Sequence, residues 1–318
     1  MEFLMEAIMV LPYRRMYPMT LHKFLSLTTA ATLAAVAFAM LPCALAQQPT
    51  VAEPVPTGPV AEQIADSLLR QIIPAMQTQK GAVNAGWWGR HERDLAELAA
   101  AKAGGPVHLL FVGDSITDNY HKPGPAPNEV FKPTWDELFA PYNAVNIGVS
   151  GDSTQHVMWR LQHGEVDGIA PENIVLMIGT NNTWHDGKAA AGDVAEGVQA
   201  VVYELHARMP QAKVLVLGIL PSTVSAEKSA KDAEINRMVS AAFAKTSWVE
   251  TLDIGKLFLK ADGSVDQSLF YDMLGPCKGP NCDPNAPPPP RRVVHPNTVG
   301  QRKMAEAVAK ALYGPHAH

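Results

Sequence analysis

Cysteine is scarce in this chain: three residues among 318, at positions 43, 277 and 282. Cys277 and Cys282 have no second close pair beside them, which argues against a zinc site of Cys-rich spacing. Basic runs are missing too, as is any basic stripe interleaved with aromatics. With a formal net charge of -5, the chain has no footprint for gripping nucleic acid. Beyond residue 46 no apolar run approaches the roughly 20 residues that a bilayer-spanning helix needs. No stable membrane span is therefore expected after that point. Internal repeats are absent. What remains is an ordinary globular composition, 47% hydrophobic and 18% charged, long enough for one large core.

The longest apolar stretch lies at the front. His22 and Lys23 precede residues 24–41, and Ala44-Leu45-Ala46 follows as a small-x-small cleavage pattern before Gln47. Residues 1–46 are expected to be a signal peptide, which makes the protein periplasmic or secreted. A retained anchor is the alternative; a lipid on Cys43 fits poorly beside Pro42. In an oxidising compartment Cys277 and Cys282 are expected to pair as a disulfide closing a small loop, with two free thiols as the alternative. Residues 47–60, QQPTVAEPVPTGPV, read as a proline-rich linker. Residues 61–318 then form a single domain.

Within that domain apolar strand-like runs alternate with amphipathic helices. Strands are expected near residues 107–112, 143–149, 173–178, 213–220 and 249–254. Helices are expected near 61–76, 88–102, 155–164, 192–209, 228–245 and 298–313. Continuously apolar strands separated by helices imply an α/β fold with a five-stranded parallel sheet covered on both faces. Ligands of such sheets sit beyond the carboxyl ends of the strands.

Four short motifs fall in order along this pattern. They are Gly113-Asp114-Ser115, Gly148-Val149-Ser150-Gly151-Asp152, Gly179-Thr180-Asn181-Asn182 and His295-Pro296-Asn297. The first three each follow an expected strand. Acyl transfer needs an activated hydroxyl, a base, a group that orients the base, and donors for the oxyanion. Ser115 supplies the hydroxyl and its own backbone N–H. Gly151 can offer a second backbone N–H and Asn181 a side-chain amide, each donor worth roughly 3–4 kcal/mol when aimed at the transition state. His295 is the candidate base. The blander roles are a tight turn for Gly113-Asp114, a loop brace for Asn181 or Asn182, and helix entry for His295. No metal or cofactor is called for.

The segments LLFVGDSIT, AVNIGVSGDSTQHVMWRL, GTNN and QAKVLVLGILP resemble the SGNH, or GDSL-type, hydrolase superfamily. They are most similar to the platelet-activating-factor acetylhydrolase catalytic subunits and their bacterial relatives, over about residues 85–275 and again at His295. The resemblance implies a three-layer α/β/α, flavodoxin-like fold and esterase activity without metal or cofactor. It implies a nucleophile at Ser115, oxyanion donors at Ser115, Gly151 and Asn181, and a base at His295.

One position departs from the family. Its last block carries Asp three residues before the His, where this chain has Arg292. Residues 269–274, LFYDML, resemble the family's approach to that block, which points to Asp272 as the orienting carboxylate and to an insert at about 275–293. Asp283 is the rival, and a backbone carbonyl the third candidate. The implied activity is hydrolysis of small acyl esters, acetyl by resemblance. The expected substrates are O-acetylated glycans, with lipid or simple esters as the alternative. A non-catalytic binding module on the same fold is the reading from another class. Trp87, Trp88, Trp135, Trp159 and Trp184 could stack on sugar rings or serve packing.

Overall fold

A computed structural model of the chain describes residues 67–124, 129–185, 189–271 and 292–314. All of them belong to one compact unit. The leader, the linker, Asp272, Asp283, Cys277 and Cys282 lie outside the described residues.

The described chain opens with α1 (Ser67–Ile72) and a small antiparallel hairpin, β1 (Thr78–Gln79) and β2 (Ala82–Val83). It continues through α2 (Ala85–Gly104), β3 (Leu109–Gly113), α3 (Ser115–Asp118), α4 (Lys132–Leu138) and β4 (Val145–Gly148). Next come α5 (Thr154–Gln162), β5 (Asn173–Met177), α6 (Thr180–His185), α7 (Ala191–Arg208) and β6 (Lys213–Leu217). The last elements are α8 (Ala226–Phe243), β7 (Val249–Leu252) and α9 (Thr298–Tyr313).

The five long strands form one sheet in the order β4-β3-β5-β6-β7, every pair parallel. Numbered along the chain within the sheet, this is the flavodoxin-like order 2-1-3-4-5, whose switch point lies between β3 and β5. Strand side chains alternate between two cores. Leu110, Val112, Ile147, Ile174, Leu176, Val214 and Val216 pack with α5, α7 and α8. Leu109, Phe111, Val175, Met177, Leu215 and Leu217 pack with α3, α4 and α9. The molecule is thus three layers, helices on both sheet faces. Among the described residues no helix is long and apolar enough to cross a membrane.

Several sequence expectations shift in detail. The helix expected over residues 61–76 stops at Ile72, because Pro74 disfavours helical backbone at the residue before it and lacks an N–H of its own. The strand expected to reach residue 220 ends at Leu217, where Gly218 begins a turn held by the Asn236 side chain against Ile219. Helix α2 begins earlier than residue 88, because the Asn84 side chain accepts from the N–H groups of Gly86 and Trp87. Helices α3, α4 and α6 and the β1–β2 hairpin were not anticipated; each is too short to show a period.

Candidate active site

The Gly-Asp-Ser motif terminates β3 at the switch point. A Cβ on Gly113 would collide with the Thr117 hydroxyl and the Met177 carbonyl, so only glycine lets β3 turn here against β5. Asp114 caps α3: its Oδ1 accepts the Ile116 N–H at 2.9 Å. Burial raises its carboxyl to about 7, with the Asp152 charge adding to the effect and the Ile116 bond opposing it. Ser115 follows as the first residue of α3.

His295 reaches Ser115 from the other end of the chain. Its Nε2 lies 2.6 Å from Ser115 Oγ. Asn297 caps α9 by accepting from Val299 and Gly300, and its amide also donates to the Ser268 carbonyl at 2.7 Å. Gln301, fully buried on the same helix, donates to the Ile116 carbonyl at 2.9 Å. That bond ties the helix that follows His295 directly to the serine-bearing helix. The Tyr271 N–H donates to the His295 carbonyl at 3.1 Å, and the two rings stack with centroids 5.5 Å apart. Burial, aided by the charge of Lys122, lowers the His295 imidazole to about 4, so it is neutral at pH 7.

The second motif ends β4. Gly151 sits at φ +84, where an L side chain is strained, and a Cβ there would press on the Gln77 amide at 2.9 Å. Gln77 comes from the segment just before β1 and donates to the Ser150 carbonyl at 3.2 Å. Asp152, fully buried, fixes the same turn. Its carboxylate accepts Trp87 Nε1 at 2.7 Å and Arg160 Nε at 2.8 Å. Arg160 is wholly buried on α5 and also bonds to Glu165 and the Ile147 carbonyl. Burial opposes its charge, but the carboxylates of Glu165 and Asp152 outweigh that and raise its pKa.

The third motif begins α6. Asn181 Nδ2 donates to the Asp152 carbonyl at 2.8 Å, which puts its amide beside the Gly151 turn. Asn182 is a brace instead: its amide reaches Gln71 Oε1 at 2.6 Å and Thr154 Oγ1 at 2.9 Å. Ser115 and His295 thus meet beyond the carboxyl end of β3, while Asn181 and the Gly151–Asp152 turn are bonded to each other beyond the ends of β5 and β4. A serine hydroxyl beside a neutral imidazole, flanked by amide donors, can attack an acyl carbon and hold the resulting oxyanion. Among the described residues, no group of three His, Cys, Asp or Glu side chains could hold a metal ion.

The supporting polar residues escaped the sequence analysis. Asn146, buried in β4, donates to the Thr117 carbonyl and accepts the Gly148 N–H, so it fastens α3 to the sheet. Arg160 fastens the Gly151–Asp152 turn. Asp118 accepts from the Ser150 hydroxyl at 2.7 Å and pairs with Arg90. A polar residue inside an otherwise apolar strand, or an arginine on the apolar side of a helix, was the available signal. Of the tryptophans, Trp87 is buried and bonded to Asp152. Trp135 packs on Phe111 and Phe139, and Trp159 stacks on His163. Trp184, on α6, is 36% exposed.

A serine–histidine pair at the switch point of a doubly wound parallel sheet is the arrangement of a serine hydrolase. Residues 111–303 match the GDSL-like Lipase/Acylhydrolase family. Over 189 residues the chain is 35% identical to platelet-activating factor acetylhydrolase IB subunit alpha2 of Rattus norvegicus, covering 59% of this chain and 75% of the relative. The alpha1 subunit of Homo sapiens matches at 35% as well, covering 59% and 74%. In fold it resembles a solved Streptococcus pneumonia structure named for platelet activating factor, with a TM-score of 0.54 at 17% identity, over 71% of this chain and 94% of that one. The chain belongs to the GDSL-like lipase/acylhydrolase family and is a hydrolase acting on ester bonds.

Proposed function

We propose that the protein is an exported serine esterase that removes small acyl groups, acetyl foremost, from O-acylated carbohydrates. The observation that carries the catalytic part is the 2.6 Å approach of Ser115 Oγ to a buried, neutral His295. His295 takes the serine proton as Oγ attacks the acyl carbonyl. The Ser115 and Gly151 N–H groups and the Asn181 amide stabilise the oxyanion. His295 then protonates the leaving alcohol, and water releases the acyl group from Ser115 by the same route.

An imidazole held down to about 4 is a reluctant base unless a carboxylate stabilises its protonated form. Asp272 is proposed for that role. It is peptide-bonded to Tyr271, whose N–H meets the His295 carbonyl.

The preference for acetyl is supported by the relatives, which are named acetylhydrolases. Two observations support a sugar as the alcohol. The signal-like segment 1–46 would send the enzyme to where glycans are met. Trp184 lies three residues after Asn181 on α6, hence on the same side of that helix, and is about one-third exposed (36%). The relatives' names favour a second reading, an acetylated lipid. Hydrolysis of p-nitrophenyl acetate, butyrate and octanoate tests acyl size; acetate release from acetylated xylan and from an acetylated glycerophospholipid tests the alcohol. Turnover should fall with acyl length, and xylan should release acetate. A preference for octanoate would overturn the acetyl assignment, and release from the lipid alone would favour the second reading.

A further inference from the structure

Two buried ionisable side chains stand beneath the site with no part in the steps above. Lys228 and Asp232 lie one turn apart on α8, 4% and 2% exposed, with Nζ 2.7 Å from Oδ2. The ammonium also donates to Thr180 Oγ1 at 3.0 Å and Thr183 Oγ1 at 2.8 Å, which uses all three of its protons. The Thr183 hydroxyl lies 2.7 Å from Asp232 Oδ1, closing the cluster. Thr180 is the first residue of α6 and Thr183 the fourth, and Asn181 lies between them.

Helix α6 has six residues, too few to hold itself by its own hydrogen bonds. Its placement therefore depends on lateral partners. On one side Asn182 reaches Gln71 and Thr154. On the other stands the lysine–aspartate pair. A buried ion pair adds little net stability over apolar residues of the same volume. Its specific contribution is direction: it accepts one arrangement of the two threonine hydroxyls. The Lys228 charge is also felt at Asp114, the residue before the nucleophile, where it offsets part of the burial effect.

We propose that Lys228 and Asp232 are positioning residues for ester hydrolysis. Through Thr180 and Thr183 they fix the angle of α6, and so aim the Asn181 amide at the oxyanion. The assignment rests on Asn181 being an oxyanion donor.

The test is steady-state kinetics on p-nitrophenyl acetate, with thermal melts to verify folding. Five variants are compared: Asn181→Ala, the paired replacement Lys228→Met with Asp232→Leu, all three changes together, Thr183→Val and Thr183→Ser. The paired replacement leaves no lone charge buried. It should lower kcat about tenfold or more, within the range of one lost oxyanion donor, while KM changes less than about threefold. The triple variant should be no slower than Asn181→Ala alone, because both changes remove the same interaction. Thr183→Val should lower kcat in the same way and Thr183→Ser should recover most of it, which keeps the test open should the paired replacement not fold. Wild-type kcat in folded Thr183→Val, or losses that multiply in the triple variant, would overturn the positioning role. An Asn181→Ala variant at full activity would overturn the donor assignment and the positioning role together; an impaired Asn181→Ala beside unimpaired pair variants overturns the positioning role alone.

Discussion

The two flanks of Ser115 are built by opposite means. On the side proposed to donate to the oxyanion, the Gly151 turn and Asn181 rest on buried charges bonded to one another: Asp152 with Arg160, Arg160 with Glu165, Lys228 with Asp232. On the base side, His295 is buried, its carbonyl accepts the Tyr271 N–H, the Asn297 cap starts the helix that follows, and one carboxylate, Asp272, is its proposed partner. The donors keep the same charge throughout the reaction, so a fixed ionic scaffold can lock them in advance. The base must gain and lose a proton in each cycle. The single carboxylate proposed beside it stabilises the protonated form while leaving the neutral form accessible.

The contrast is tested most strongly at the centre. Ser115→Ala should lower kcat on the order of a millionfold and abolish labelling by a fluorophosphonate probe. Retained labelling would remove Ser115 from both flanks. Next in size, Asp272→Asn should lower kcat about ten-thousand-fold. A carboxylate beside the imidazole raises its pKa, and only the neutral imidazole is active. The acid limb of the kcat/KM profile should therefore move to lower pH in this variant. An unmoved limb would exclude Asp272 as the partner.

On the donor side, Asn181→Ala should lower kcat about a hundred- to a thousandfold with an unchanged melting temperature. A loss of stability with no loss of rate would make Asn181 a brace like Asn182. The smallest effect is expected at His121, which stands at the edge of the donor side. Burial works against its charge, but hydrogen bonds to Asp118 and Glu97 outweigh it and raise its pKa from 6.5 to about 9. Its contribution to stability is present in full below about 6.5 and is lost as pH rises through about 9. The melting-temperature gap between wild type and His121→Asn should shrink over that interval. A constant gap would mean that the ionic bonds at His121 add nothing.

The sheet and the motifs at its strand ends were legible because each is a local signal. Apolar runs such as Leu109–Gly113 and Asn173–Met177 announce buried parallel strands, and each ends in a short motif. The scaffold behind the motifs was not legible. Arg160, Asn146 and Lys228 acquire meaning only from partners brought by other strands and helices: Asp152 and Gly113 for Arg160, Thr117 for Asn146, Thr180 and Thr183 for Lys228. Helix α4 was missed because seven residues beginning Lys132-Pro133 give no readable period. The brace role of Asn182 beside the different placement of Asn181 was also beyond the sequence, since adjacent residues on a helix point in different directions.

The bond from Gln301 to the Ile116 carbonyl spans 185 positions of sequence. During synthesis the serine, its turn and its amide donors leave the ribosome long before α9 does. With Ser115 as the proposed nucleophile and His295 as the proposed base, a nascent chain whose α9 has not docked holds the one without the other and should not turn over ester. Activity therefore reports that the last strut is in place, and an assay for hydrolysis is at the same time an assay for completed folding.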